Sequence, residues 1–369
     1  MFFHKNTYIS SGSLSSLAWK KFKRNKLGLG SLIFLGLTTA IAILGYLITP
    51  DPTPFVNEQH LELGLKKPGF RVRMLKMRTG KEDDAKNFFE RMIWGDKSGF
   101  QCIPVQNIKR EGNTVLYQDY MNPPMPDAPW NKISVKYVVS DEARTFWLGT
   151  DRFGRDYLSQ LIIGTRISLS VGFISVFISL VLGILIGALG GYYRGWIDHV
   201  ILWFINVVWS IPTLLLVIAI TFALGKGFWQ VFIAVGLTMW VEVARVVRGQ
   251  VMGIREKEFV EAGRALGFSD FRIIFHHILP NVMAAVIVIS ASNFASAILI
   301  EAGLSFLGLG IQPPVPSWGA MIKENYGYIV LDYAYLAILP GLAIMFLVLA
   351  FMLIGNALRD ALDVRSSEF

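Results

Sequence analysis

Long apolar runs alternate with short polar segments along most of the chain. They occupy residues 27–48, 168–189, 200–224, 228–247, 282–309 and 335–357. A helix needs about 20 mainly apolar residues to cross a hydrocarbon core of roughly 30 Å, so each run predicts a membrane span. The third run contains Pro212, which predicts a broken helix because proline lacks an amide proton and crowds the preceding turn. Gly183, Gly187, Gly190 and Gly191 close the second run and allow a neighbouring helix to come near. Residues 51–147 differ in kind. No part of them is apolar for long enough to cross a membrane, and their charges nearly balance. Alternation at Phe70, Val72 and Met74 predicts a strand over 70–74, and further strands are expected over 114–117 and 133–139. Residues 85–94 predict a helix with Phe88, Phe89, Met92 and Ile93 apolar and Gly95 as its stop. Pro123, Pro124, Pro126 and Pro129 predict a stiff irregular approach to the next part. The expectation is a small α+β insert in an otherwise all-α, six-span polytopic protein.

Charge then orients these spans. Residues 1–26 form a polar tail ending in Lys20, Lys21, Lys23, Arg24 and Lys26. Basic flanks favour the cytoplasm, so the N-terminus is expected there, and six spans return the C-terminus to the same side. The 27–48 run is too long for a signal-peptide core and lacks a small-x-small cleavage site, so it is read as an uncleaved first span of a domain reaching residue 50. The insert then lies outside. Composition agrees: 53% of the 369 residues are hydrophobic and 17% charged, with a mean hydropathy of +0.48. The net charge of +8 fits cytoplasmic flanks, and no basic face with groove-reading elements points to nucleic acid. Cys102 is the single cysteine, which excludes an intramolecular disulfide and a cysteine-based metal cage.

Residues 258–281 interrupt the apolar runs with helical periodicity. Phe259, Ala262, Gly263 and Leu266 share one face, with Glu261 beside it. Gly267 is placed to end that helix in the left-handed conformation, and Ser269 to cap a second. Phe271, Ile274, Phe275 and Ile278 share a face of the second, which Pro280 is expected to end. Glu261-Ala262-Gly263, then Gly267, then His277-Ile278-Leu279-Pro280-Asn281 resembles the EAA loop of ABC importer permeases. Gly263 replaces that pattern's third alanine, and His277 stands where it has isoleucine. Leu148-Gly149-Thr150-Asp151, followed by Gly154-Arg155-Asp156, is similar to the segment before the second span in C-type permeases of peptide and nickel importers. Thr150, Asp151 or Asp156 can cap a helix there, and Arg155, Asp156 and Arg166 are read as structural ion pairs.

The resemblance covers residues 148–364 and implies a permease core of five spans with a cytoplasmic coupling loop at 249–281. It implies that Phe259, Glu261, Ala262, Gly263, Leu266 and Gly267 contact an ATPase. It further implies a second permease subunit, two ATP-binding subunits, an extracytoplasmic substrate-binding protein and a bacterial inner-membrane location. ATP would be used by the partner subunits. The implied activity is ATP-driven import of di- or oligopeptides by alternating access, with nickel import as the alternative. The insert is longer than the equivalent segment in such permeases.

Two acids fall within apolar runs. Glu242 stands three residues before Arg245, and an ion pair between them is expected. Glu301 has no such neighbour. It recurs at helical spacing with Ser290, and Asn293 is nearby, which makes these three candidates for pathway lining or packing. A charge at membrane depth costs at least about 2.5–3.5 kcal/mol and normally faces a polar interior. No GxxxxGK[ST] phosphate loop and no GxSxG occur. His276 and His277 are adjacent and point apart on a helix, unlike a zinc pair at i, i+4. No enzyme, metal site or cofactor is expected in this chain. A secondary transporter would predict inverted repeats and several midplane charges, whereas no convincing repeat is found and only Glu301 falls near mid-span. A membrane-tethered interaction protein working through its insert would not need the intact coupling pattern.

Overall fold

The computed structural model describes residues 14–78, 87–96, 99–121, 125, 128–225 and 227–362. The first half of the expected tail, the start of the helix expected at 85, Pro123, Pro124, Pro126, Lys226 and Arg365 lie outside the described residues. The remainder of the tail is a helix, α1 (Leu14–Arg24), whose Phe22 is buried against the far end of the chain. The Asn25 side chain then caps α2 (Lys26–Ile48), accepting from the Gly28 N–H at 2.9 Å.

The long helices follow the apolar runs, with shifted ends. They are α4 (Tyr157–Tyr193), α7 (Phe228–Ile254), α10 (Leu279–Phe306) and α12 (Tyr335–Leu362). Helix α4 starts eleven residues before the apolar run expected at 168, because Asp156 caps it there by accepting from the Ser159 N–H at 2.7 Å. Two short helices, α5 (Gly195–Trp209) and α6 (Thr213–Leu224), replace a straight third span and meet at 91° beside Pro212. At 1.5 Å per residue, neither is long enough to cross a membrane alone. Together they make the return crossing that the packing of α4 on α7 demands. Ser175 of α4 donates to the Phe232 carbonyl at 3.0 Å, and lower down Gly183 meets Val243 and Gly191 meets Val251. Rising numbers on both sides mean that α4 and α7 run parallel, so the chain between them must recross.

The 51–147 region is built on one sheet: β1 (Phe70–Arg78), β2 (Phe100–Glu111), β3 (Thr114–Asp119), β4 (Asn131–Ser134) and β5 (Val138–Phe146). All neighbours pair antiparallel in the order β4-β3-β2-β1-β5. The strand expected over 133–139 is two strands that flank a 3-10 turn at Val135–Tyr137, and β2 was not expected at all. A short helix, α3 (Phe88–Trp94), lies between β1 and β2 in sequence. Leu63 packs on Val72, Met74 and Phe146, tying the 51–68 segment to the sheet. That segment is a strap laid over the 149–156 turn: Thr150 donates to the Leu63 carbonyl and accepts from the Lys66 N–H, and Leu65 donates to the Asp151 carbonyl. The expected outer loop at 311–332 contains a further helix, α11 (Trp318–Asn325), capped by Ser317.

Candidate functional site

The 258–281 stretch forms a hairpin at the end of the bundle where α4 and α7 finish. Its first arm is α8 (Glu258–Ala265). Gly267 takes φ +76° and ends it. The Gly267 N–H bonds to the Arg264 carbonyl at 2.9 Å and the Phe268 N–H to the Gly263 carbonyl at 3.0 Å, a Schellman closure. Ser269 caps the second arm, α9 (Asp270–Arg272), accepting from the Arg272 N–H at 3.4 Å. Residues 249–254 belong to α7 and 279–281 to α10, so the hairpin itself is shorter than a 249–281 loop.

Pro280 does not end the second arm. The wider π turn at Ile273–Ile278 leads into α10 with Pro280 in its first turn, where no amide proton is needed. The wider turn also shifts the phase of the side chains. Ile274 and Ile278 are buried, whereas Phe271 and Phe275 are exposed, so the four residues expected on one face divide between two. Gly263 likewise leaves its expected face: it turns inward against Phe268 and Ile273 because the Schellman closure folds Phe268 back over it. Phe259, Glu261, Ala262 and Leu266 stay exposed, Leu266 at 73%.

The inner side of the hairpin is fixed. Val260, Ile273, Ile274 and Ile278 share a core with Tyr192, Val251 and Ile254 at the ends of α4 and α7. Tyr192 donates to the Asp270 carboxylate at 2.5 Å, and Arg194 pairs with Glu256 at 2.6 Å. The hairpin thus extends the two parallel helices, with an apolar outer surface of Phe259, Leu266, Phe271 and Phe275 and a Glu261 carboxylate that has no ion-pair partner among the described residues.

The three intramembrane candidates separate. Glu301 is 1% exposed and accepts from the Ser305 hydroxyl at 2.7 Å, with Ser317 3.3 Å beyond. Its polar neighbourhood is the packing of α10 on the start of α11. Asn293 is fully buried, and neither amide atom has a hydrogen-bond partner among the described residues, while Ser290 donates to the Val286 carbonyl of its own helix. The expected Glu242–Arg245 pair does not form. Arg245 stacks its guanidinium 3.6 Å from the centre of the Trp209 ring, drawn there by the α5/α6 break. Glu242 has no ion-pair partner among the described residues and borders a cavity of about 290 Å³ with Trp209, Thr213, Thr238 and Ser296. The polar spacing on α7 offered a signal for this cavity, but the 91° bend that opens it is not visible in spacing.

At the opposite end of α4, Asp151 organises the turn that precedes it. Its carboxylate accepts from the Phe153 and Arg155 N–H groups, from the Arg155 side chain at 2.6 Å and from Gln160. Arg155 bridges onward to Glu324 of α11 at 3.0 Å. Arg155 is therefore a structural ion-pair residue, as expected. Arg166 is not: it donates to the Met92 and Ile93 carbonyls at 3.2 and 3.0 Å.

Comparison with known proteins gives a consistent result. Residues 179–368 match the family described as binding-protein-dependent transport system inner membrane component. Residues 13–68 match the N-terminal transmembrane domain of oligopeptide transport permease C, so that match stops just before β1. The glutathione transport system permease protein GsiD of Pectobacterium atrosepticum is 42% identical over 217 residues, covering 59% of this chain and 72% of that protein. The dipeptide transport system permease protein DppC of Alkalihalophilus pseudofirmus is 43% identical over 217 residues, covering 59% and 71%. These relatives do not favour the nickel alternative. The chain belongs to the family of binding-protein-dependent transport system inner membrane components, as a multi-pass inner-membrane permease of the peptide ABC importers, which work with ATPase partners.

Proposed function

We propose that this chain is one of two permease subunits of an importer for di- or oligopeptides, with two ATP-binding subunits and an extracytoplasmic substrate-binding protein. The observation that carries the reading is the hairpin: a rigid core contact inside, and an uncovered apolar face with Glu261 outside. An ATPase groove would cover Phe259, Leu266, Phe271 and Phe275, with Glu261 at its rim and Gly267 holding the turn. ATP is bound by the partners, and this chain, a transporter permease and not an enzyme, holds no cofactor. Both termini and the hairpin lie in the cytoplasm and the 51–147 insert outside, as the basic flanks support. Closure of the ATPases would push the hairpin and tilt α4, α7 and α10 together, exchanging access between the two sides. Glu242 in the cavity at the α5/α6 break, with Ser290 and Asn293 on α10, are the residues we assign to the path or its walls.

Two substitutions test this. Gly267→Val forces a β-branched residue into a left-handed turn, and a non-glycine residue there costs roughly 1–2 kcal/mol. That misplaces the hairpin without unfolding the spans. Glu261→Lys reverses the exposed charge. Both proteins should insert at normal levels, while the purified complex loses its ATPase subunits or hydrolyses ATP without response to loaded binding protein. Wild-type uptake and stimulated hydrolysis in both would defeat the assignment of this hairpin as the ATPase contact.

A further inference from the structure

Helix α3 carries an apolar surface that none of the described residues covers. At 100° per residue, Phe88, Met92, Phe89 and Ile93 occupy one arc of about 140°, with Glu90 and Arg91 opposite. Phe88, Phe89 and Trp94 remain 62%, 69% and 65% exposed, and Ile93 is exposed beside them. None of these residues joins either core of the sheet.

What holds α3 is its backbone. Arg166 of α4 donates to the Met92 and Ile93 carbonyls, and the Asp96 N–H bonds to the Pro52 carbonyl at 2.8 Å. Gly95 lies against the Tyr46 ring, close enough that a Cβ would sit 3.1 Å from it. Tyr46 is in the last turn of α2, and the Arg166 guanidinium lies 5.7 Å from its ring centre. Tyr46 is buried here with Val56 and Ile163, and Arg166 stands two residues before the apolar run that begins at 168, so α3 lies where two spans meet their polar flanks.

We propose that α3 is a membrane-surface anchor, with Phe88, Phe89 and Ile93 seated in the acyl–headgroup boundary of the leaflet where α2 ends. Two observations favour lipid as the occupant over a protein. The helix is held against the ends of two spans, by Tyr46 of α2 and Arg166 of α4, and its polar arc faces away with Arg91 paired to Asp96 at 3.2 Å. Short amphipathic helices rich in aromatic residues adopt this position. The sheet is then held from two sides, by the strap on the 149–156 turn and by α3 on the bilayer.

The inference needs only the membrane-spanning reading, so its test does not involve transport. Cys102 is replaced by serine, Phe89→Cys or Glu90→Cys is introduced, and a nitroxide is attached in the full complex in phosphatidylethanolamine/phosphatidylglycerol nanodiscs. At position 89, collisions with oxygen should exceed those with a water-soluble nickel chelate several-fold, and at position 90 the order should reverse. High chelate access at 89 would mean that the face is in water. Low access to both probes would mean that a protein covers it. Either result overturns the proposal. Should the Phe89→Cys protein fail to assemble, the nitroxide is placed at Ile93→Cys on the same arc, where oxygen collisions must again exceed those with the chelate, and the opposite order overturns the proposal.

Discussion

Two carboxylates show how the same group takes different roles at different depths. Glu301 is enclosed by α10 and α11 with Ser305 as its donor. Glu301→Gln keeps an acceptor for that hydroxyl, so the complex should assemble in normal yield and retain uptake. Glu301→Leu leaves Ser305 without its partner, a loss of about 1–3 kcal/mol, and should lower the yield of assembled complex. Assembly with lost uptake in the glutamine variant would move Glu301 from packing to the pathway. Glu58 lies in the strap, outside the spans. Burial would raise its carboxyl, but the imidazole of His60, 3.6 Å away, and the Arg144 guanidinium at 2.6 Å outweigh that and hold it down at about 2. A depressed folded value means the stabilisation is full above the ordinary glutamate range and disappears as pH falls through about 2. It is worth at most about 3 kcal/mol. The protection of the strap against hydrogen exchange, relative to the intrinsic rate at each pH, should therefore fall between pH 4.5 and the acid limit, and Arg144→Leu should shift that change toward higher pH. A strap equally protected at pH 5 and pH 2.5 would contradict the account.

Between elements, the contact of α4 with α7 sets the stiffness of the lever. A Cβ on Gly187 would lie 2.5 Å from the Ala244 carbonyl, so Gly187→Val must part the helices and open the core of Val243, Val247 and Val251. Overpacking of this kind costs about 1–3 kcal/mol, and the solubilised protein should melt several degrees lower. Gly253→Ala, whose Cβ would meet nothing, should not lower it. This glycine row was legible as a sequence pattern because small residues at helical spacing have few other uses in a span. The Gly267 turn was legible for a similar reason: few residue types accept its conformation. Other features depended on partners distant in sequence. Strand β2 includes Pro104, and β5 reads Asp141-Glu142-Ala143-Arg144, so neither shows the alternation of a half-buried strand. They become strands by pairing on either side of β1. Arg245 chose the Trp209 ring over the nearer Glu242, and the π turn at Ile273–Ile278 moved Phe271 and Phe275 off the expected face. Helical spacing assumes 3.6 residues per turn and fails where the chain departs from it.

At the scale of the molecule, the boundary of the insert determines what can be removed. Residues 51–147 look uniform in composition, but the strap within them belongs to the permease core. Val56 is fully buried with Tyr46 and Ile163, His60 donates its N–H to the Phe153 carbonyl, and Gly154 approaches the His60 carbonyl so closely that no Cβ fits between them. Excising residues 56–138 would strip this contact from the start of α4 and should abolish assembly. A better cut follows the sheet. Phe70 and Phe146 are paired residues on β1 and β5, so their Cα atoms are within about 6 Å and a short Gly-Ser linker can join them. Removing residues 71–145 discards the sheet and α3 while keeping Leu63, Thr150 and the Asp151 turn. The shortened protein should insert, assemble with its partners and keep its basal ATP hydrolysis, because the hairpin and the α4/α7 contact lie at the other end of the bundle. Uptake should fall when the binding protein is limiting and recover when it is saturating, as expected of a domain that helps the binding protein to dock. Equal uptake by both proteins at limiting binding protein would remove the docking role. Failure of the 71–145 deletion to assemble would show that the sheet, and not the strap alone, supports the core.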